Sequence, residues 1–156
     1  MRPNTAQEGF SLLELMIALA IAGILTGLAV PSFKTLLSNH RLEGAAQRLV
    51  SDLRLARQTA IAEGIPTGIQ LNPHEESYFL EKGIGLQPSP FGFLDLKDPR
   101  EGFPGIDLVD STKGNHLIFF PKGTTNSWTT ITLENRNGKQ QKITLIGTGR
   151  VKRIKP

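Results

Sequence analysis

The chain has 156 residues, no cysteine and a net charge of +4. That is enough for one modest domain plus a membrane-length segment, and it excludes disulfides, thiolate metal sites and cysteine nucleophiles. The charge is uneven. Seven bases and no acid follow Glu134, which leaves −3 on everything before. A basic tail on a near-neutral body fits either a solvated surface or a polyanionic partner such as nucleic acid or an anionic surface.

Residues 1–9, MRPNTAQEG, are short and polar, with Pro3 and Gly9 as breakers. An almost unbroken apolar run follows from 10 to 30, with Glu14 as its one ionisable residue. As a helix, such a run spans about 30 Å, the thickness of a bilayer's hydrocarbon core. It is not an ordinary secretory signal: Arg2 is the only basic side chain ahead of it, and no A-x-A-like cleavage site follows. Lys34 and Arg41 lie beyond the run, so charge counting leaves its orientation open.

The segment Gly9-Phe10-Ser11-Leu12-Leu13-Glu14 resembles the prepilin cleavage site of type IV pilins and type II secretion pseudopilins. The resemblance implies cleavage by a prepilin peptidase between Gly9 and Phe10, and N-methylation of the new Phe10 amine. The apolar segment then stays on the mature protein as the stem of a filament subunit. Glu14 would pair with the terminal amine of a neighbouring subunit. This gives a buried carboxylate the positive partner it needs; the plainer alternative is a glutamate solvated at headgroup depth. Gly23-x-x-x-Gly27 allows close helix–helix approach or, equally, loosens the helix. Pro31 lacks an N–H and is expected to kink it.

From Ser32 the pattern is amphipathic. Phe33, Leu36, Leu37, Ala45, Ala46, Leu49, Leu53, Ala56 and Ala60 recur mostly at spacings of three and four, with arginines off the stripe. The helix is therefore expected over 10–62, ended by Gly64 and Pro66. Its arginines read as a solvated face. After Gly64 the period shortens. Strands are expected at 67–71, 78–82, 106–109, 117–120, 129–134, 142–146 and 150–154, with a hairpin turn at Asn137-Gly138. Residues 83–105 hold five glycines and four prolines and read as a long irregular loop. The fold class is α+β. It has a leader at 1–9, a long helix at 10–62 whose 10–30 portion is transmembrane, and a small antiparallel β-rich domain at 63–156.

Three later stretches extend the resemblance: His116-Leu117-Ile118-Phe119-Phe120-Pro121-Lys122-Gly123, the Asn137-Gly138 turn, and Gly147-Thr148-Gly149-Arg150-Val151-Lys152. They are similar to the pseudopilin-H (GspH) and FimT-like minor pilin group. That resemblance implies a structural subunit of a type II secretion pseudopilus or a type IV pilus. It also implies a single-pass location in the inner membrane with the C-terminal domain periplasmic, and other pilin or pseudopilin subunits and the prepilin peptidase as partners. Some FimT-like pilins bind DNA through a Gly-Arg-x-Arg-like tail. The alternative function is thus DNA uptake through Arg150, Lys152, Arg153 and Lys155. Lysine at 152 keeps the charge of the second arginine but loses its guanidinium fork.

No motif for catalysis, metal or cofactor appears. His40, His74 and His116 are scattered, and His74-Glu75-Glu76 reads as a solvated turn. The expectation is a protein that is not an enzyme and carries no cofactor.

Overall fold

A computed structural model describes residues 10–83, 89–96, 98, 102–112 and 114–154. One helix, α1 (Leu12–Glu63), precedes eight strands: β1 (Thr67–Asn72), β2 (Ser77–Lys82), β3 (Ser89–Asp95), β4 (Ile106–Ser111), β5 (His116–Phe119), β6 (Thr129–Asn135), β7 (Gln140–Leu145) and β8 (Val151–Ile154). Every strand pairing is antiparallel. The chain divides into two compact units, Met1–Leu36 and Leu37–Pro156.

In the second unit, the strands form two four-stranded sheets, ordered β3-β2-β1-β5 and β4-β6-β7-β8. Their inner faces and one stripe of α1 make a single apolar cluster. The helix contributes Leu42, Ala45, Ala46, Leu49, Leu53, Ala56 and Ala60, all buried. Four of those seven are alanines, which bring the helix backbone close to the strands. Ile69, Leu71, Tyr78, Leu80, Leu117 and Phe119 meet it from the first sheet. Ile106, Leu108, Ile131, Leu133, Ile143 and Leu145 come from the second. Each such leucine or isoleucine contributes roughly 1.5–3 kcal/mol on burial. The expected stripe needs correcting at its start: Phe33, Leu36 and Leu37 are exposed, and burial begins at Leu42.

Gly64 adopts a left-handed φ of 68° just past Glu63, and Pro66 follows, so the helix stops as its sequence dictates. The helix continues unbroken through Pro31. Residues 83–105 are not one irregular loop. Within them β3 pairs along β2, from Ser77 opposite Asp95 to Lys82 opposite Ser89. It is an edge strand, where a proline such as Pro90 is tolerated because no ladder partner needs its missing N–H. Glycine and proline content concealed the strand.

The β6–β7 hairpin closes with the Asn135 amide donating to the Lys139 carbonyl, and the Gly138 amide donating to the Asn135 carbonyl. Of its loop residues only Gly138 has a positive φ, 76°. The turn is therefore a type I turn followed by a left-handed glycine, not a two-residue type I′ turn. Asn135 Oδ1 also accepts from the Asn137 and Lys139 amides, both at 3.0 Å.

Candidate functional site: an exposed apolar helix and a basic groove

Two regions carry the residues singled out in the sequence. The first is the start of α1. Phe10 precedes the helix and is 87% exposed. Ser11 caps it: the Glu14 amide donates to Ser11 Oγ at 3.2 Å, and the Leu15 amide donates to the Ser11 carbonyl, also at 3.2 Å. Ser-Leu-Leu-Glu thus has the spacing of a capping box, with Ser11 at the cap and Glu14 in the first turn. The expected helix start at Phe10 moves to Leu12, because the serine side chain takes the place of a helical carbonyl partner. Glu14 is exposed, and its negative charge lies at the positive end of the helix dipole. Gly9 lies outside the described residues.

From Phe10 to Phe33 every large apolar side chain described is exposed. This segment is long and apolar enough to cross a membrane. A continuous apolar surface of that size is not stable in water and calls for lipid or partner helices around it. A Cβ at Gly23 or Gly27 would meet no heavy atom within 4 Å. The chain's own packing therefore does not require glycine at either position. Thr26 satisfies its hydroxyl on the Ala22 carbonyl at 2.7 Å.

The second region lies within the unit Leu37–Pro156, between α1 and the β7–β8 turn. Arg54, Arg57 and Gln58 face Gly149, Arg150 and Val151 across a groove of about 260 Å³. A neighbouring groove of similar volume is lined by Gln47, Val50, Arg54 and Arg153. Among the described residues no carboxylate lines either one. Arg57 is fixed, donating from Nε to the Gly123 carbonyl at 2.9 Å. Arg153 Nη2 is 3.0 Å from Glu43 Oε1. The Arg54 and Arg150 side chains are exposed and make no hydrogen bond or ion pair among the described residues.

Of the predicted tail residues, Arg150 and Lys152 are exposed while Val151 and Arg153 turn partly inward, as alternation requires. Arg150 precedes β8, which begins at Val151. Lys155 lies outside the described residues. Sequence reasoning did not connect Arg54 and Arg57 with the tail. Their i, i+3 spacing put them on one helix face, but only the fold brings that face to Gly149 and Arg150.

Gly149 is sterically required in this turn. Gly149 has φ 74°, and a Cβ there would lie 2.1 Å from the Gly123 carbonyl oxygen. A Cβ on Gly147 would lie 2.4 Å from Trp128 Nε1. The indole rests on Gly147 yet is 67% exposed.

The histidines do not converge. His116 Nε2 is 2.6 Å from Glu81 Oε1, spanning β1 above Gly68, and the reading of the sequence missed this pair. Asp52, on the buried side of α1, accepts from the Tyr78 hydroxyl at 2.7 Å and from Arg48 Nε at 3.1 Å. Burial first, and then the Asp52 charge, push the Tyr78 hydroxyl pKa far above its ordinary value.

The family described as "Type II transport protein GspH" matches residues 45–149, and a "Prokaryotic N-terminal methylation motif" matches residues 4–30. A fimbrial protein of Pseudomonas aeruginosa is 37% identical over 107 residues, 67% of each chain. The fold is similar to that of the type IV minor pilin FimU of Pseudomonas aeruginosa, with a TM-score of 0.59 and 21% identity over 75% of this chain and 90% of that one. It is also similar to that of the minor pseudopilin EpsH from the type 2 secretion system of Vibrio cholerae. There the TM-score is 0.60 and the identity 16%, over 73% and 96% of the two chains. By its matched regions the chain belongs to the GspH family of type IV pilin-like proteins, whose members are structural subunits and not enzymes.

Proposed function

We propose that the protein is a minor subunit of a type II secretion pseudopilus or a type IV pilus, built into the filament through its N-terminal helix. The observation that carries this reading is the exposed apolar surface from Phe10 to Phe33, headed by a capped first turn that holds Glu14. In this account residues 1–9 are a leader that the prepilin peptidase removes between Gly9 and Phe10, and the Phe10 amine is methylated. Residues 10–30 hold the protein in the inner membrane, with the domain from 63 onward periplasmic, until the filament takes it up. Glu14 pairs with the terminal amine of a neighbouring subunit, and Pro31 lets the helix bend as it packs. The test is Glu14→Ala in the full-length protein, with membrane and sheared-filament fractions assayed separately. The expected result is normal membrane content and loss of incorporation; unchanged incorporation overturns the role given to Glu14.

A second reading, DNA uptake, has one observation in its favour: the Arg54 and Arg150 side chains, which have no hydrogen-bond or ion-pair partner among the described residues, line a groove with no described carboxylate. Guanidinium groups there, with Lys152, Arg153 and Lys155 along the tail, would neutralise phosphates and release counterions. Binding by the full-length protein in detergent should then weaken steeply with salt. It should also fall when Arg54 and Arg150 are changed to Gln. Absent or salt-insensitive binding removes this reading.

A further inference from the structure

Charge is graded across the sheet β4-β6-β7-β8. In strand order, β4 carries Asp107 and Asp110, β6 carries Glu134, β7 carries Lys142, and β8 carries Lys152 and Arg153. The formal charges therefore run −2, −1, +1, +2 from one edge to the other. The side chains of Asp107, Asp110, Lys142 and Lys152 are exposed, and none of them makes a hydrogen bond or ion pair among the described residues. Arg153 is held by Glu43.

Each edge also carries one half-exposed apolar side chain beside its charges. Val109 lies between the two aspartates, at the register irregularity of β4, with no partner in β6. Ile154 ends β8, opposite Lys142 in the neighbouring strand. Neither β4 nor β8 pairs with a second strand among the described residues. Single-signed charge keeps each edge from pairing with its own kind, which is how exposed edges are protected from symmetric association. The same charges attract when the edges differ, and Val109 and Ile154 supply an apolar centre for that contact.

We propose that the acidic β4 edge of one copy docks on the basic β8 edge of a second copy, with Val109 against Ile154. Such a contact joins two different surfaces, so it needs no two-fold symmetry between the copies. It rests on the filament-subunit reading and adds to it a lateral contact between the C-terminal units. The contact does not involve the apolar helix.

The test uses the full-length protein, whose cysteine-free sequence gives no background. Copies carrying Val109→Cys and Ile154→Cys, with different tags, are co-expressed and treated in membranes with a short bismaleimide. The mixed cross-link should exceed both like-with-like products by about tenfold and fall as salt screens the charges. Lys142→Glu with Lys152→Glu on the Ile154→Cys copy should abolish it. Asp107→Lys with Asp110→Lys on the Val109→Cys copy should restore it, which also shows that the variants fold. Equal yields of all three products, failure of the rescue, or protection of Ile154→Cys only by added nucleic acid overturns the contact. If the cross-link is absent while filament incorporation is normal, the edge contact fails and the subunit reading stands.

Discussion

Tyr78 in β2 donates its hydroxyl hydrogen to Asp52 of α1 across 2.7 Å, a buried polar tie beside the apolar side chains packed between helix and sheet. Arg48 shares the same carboxylate oxygen. Replacing Asp52 with Ala leaves the buried hydroxyl without an acceptor and Arg48 without that ion pair. Loss of about 1–3 kcal/mol is expected, read as a lower denaturant midpoint. Tyr78→Phe removes only the donor and should cost about 1 kcal/mol.

The same tie sets an alkaline limit. Because the folded state holds the Tyr78 proton far above its ordinary range, the unfolded chain ionises first as pH rises. The unfolded state then binds fewer protons, so stability is fully present below about pH 10 and falls above it. Unfolding midpoints measured from pH 8 to 11 should show this decline in the wild-type protein and a shallower one in Tyr78→Phe.

Gly149→Ala should be among the most damaging single-methyl changes in the domain. It forces a left-handed φ on alanine, at roughly 1–2 kcal/mol, and drives Cβ into the Gly123 carbonyl oxygen. The combined loss should be about 3 kcal/mol or more, visible as a fall in melting temperature. This supplies a physical reason for glycine before Arg150: the turn admits no side chain there.

The Arg153–Glu43 pair should behave in the opposite way. It lies at the surface, with Glu43 about half exposed. Glu43→Ala is expected to change stability by less than about 1 kcal/mol. A larger loss would show that the pair fixes β8 against α1 more firmly than its exposure implies.

Much of this architecture was legible in the sequence. The long helix, its stop at Gly64 and seven of the eight strands followed from periodicity and turn residues. β3 was not legible, because proline and glycine in an edge strand look like loop residues. The hairpin position was legible, but its turn type was not: φ at Asn137 depends on the Asn135 side chain, which accepts two amides at once. The candidate site divided the same way. Phe10, Glu14 and Arg150 stood out through local motifs. Arg54 and Arg57 did not, because their relation to Arg150 exists only after α1 and β8 pack on one core. Leu36 and Leu37 fitted the helical stripe, yet the strands cover it only from Leu42 onward.

Ser11 and Glu14 separate two roles that the motif combines. As the cap, Ser11 contributes about 1 kcal/mol to the start of α1. Ser11→Ala should speed hydrogen exchange at the Glu14 amide in micelles while leaving the Glu14 carboxylate free to pair.

The central claim is that the charge of Glu14, and not its helical position, recruits the subunit. The direct measurement is filament incorporation of Glu14→Gln beside wild type, at equal membrane content. Glutamine suits the third helical position of a capping box as glutamate does, but cannot form an ion pair with an amine. Glu14→Gln is expected to stay in the membrane and to be lost from filaments. Incorporation at the wild-type level would contradict it.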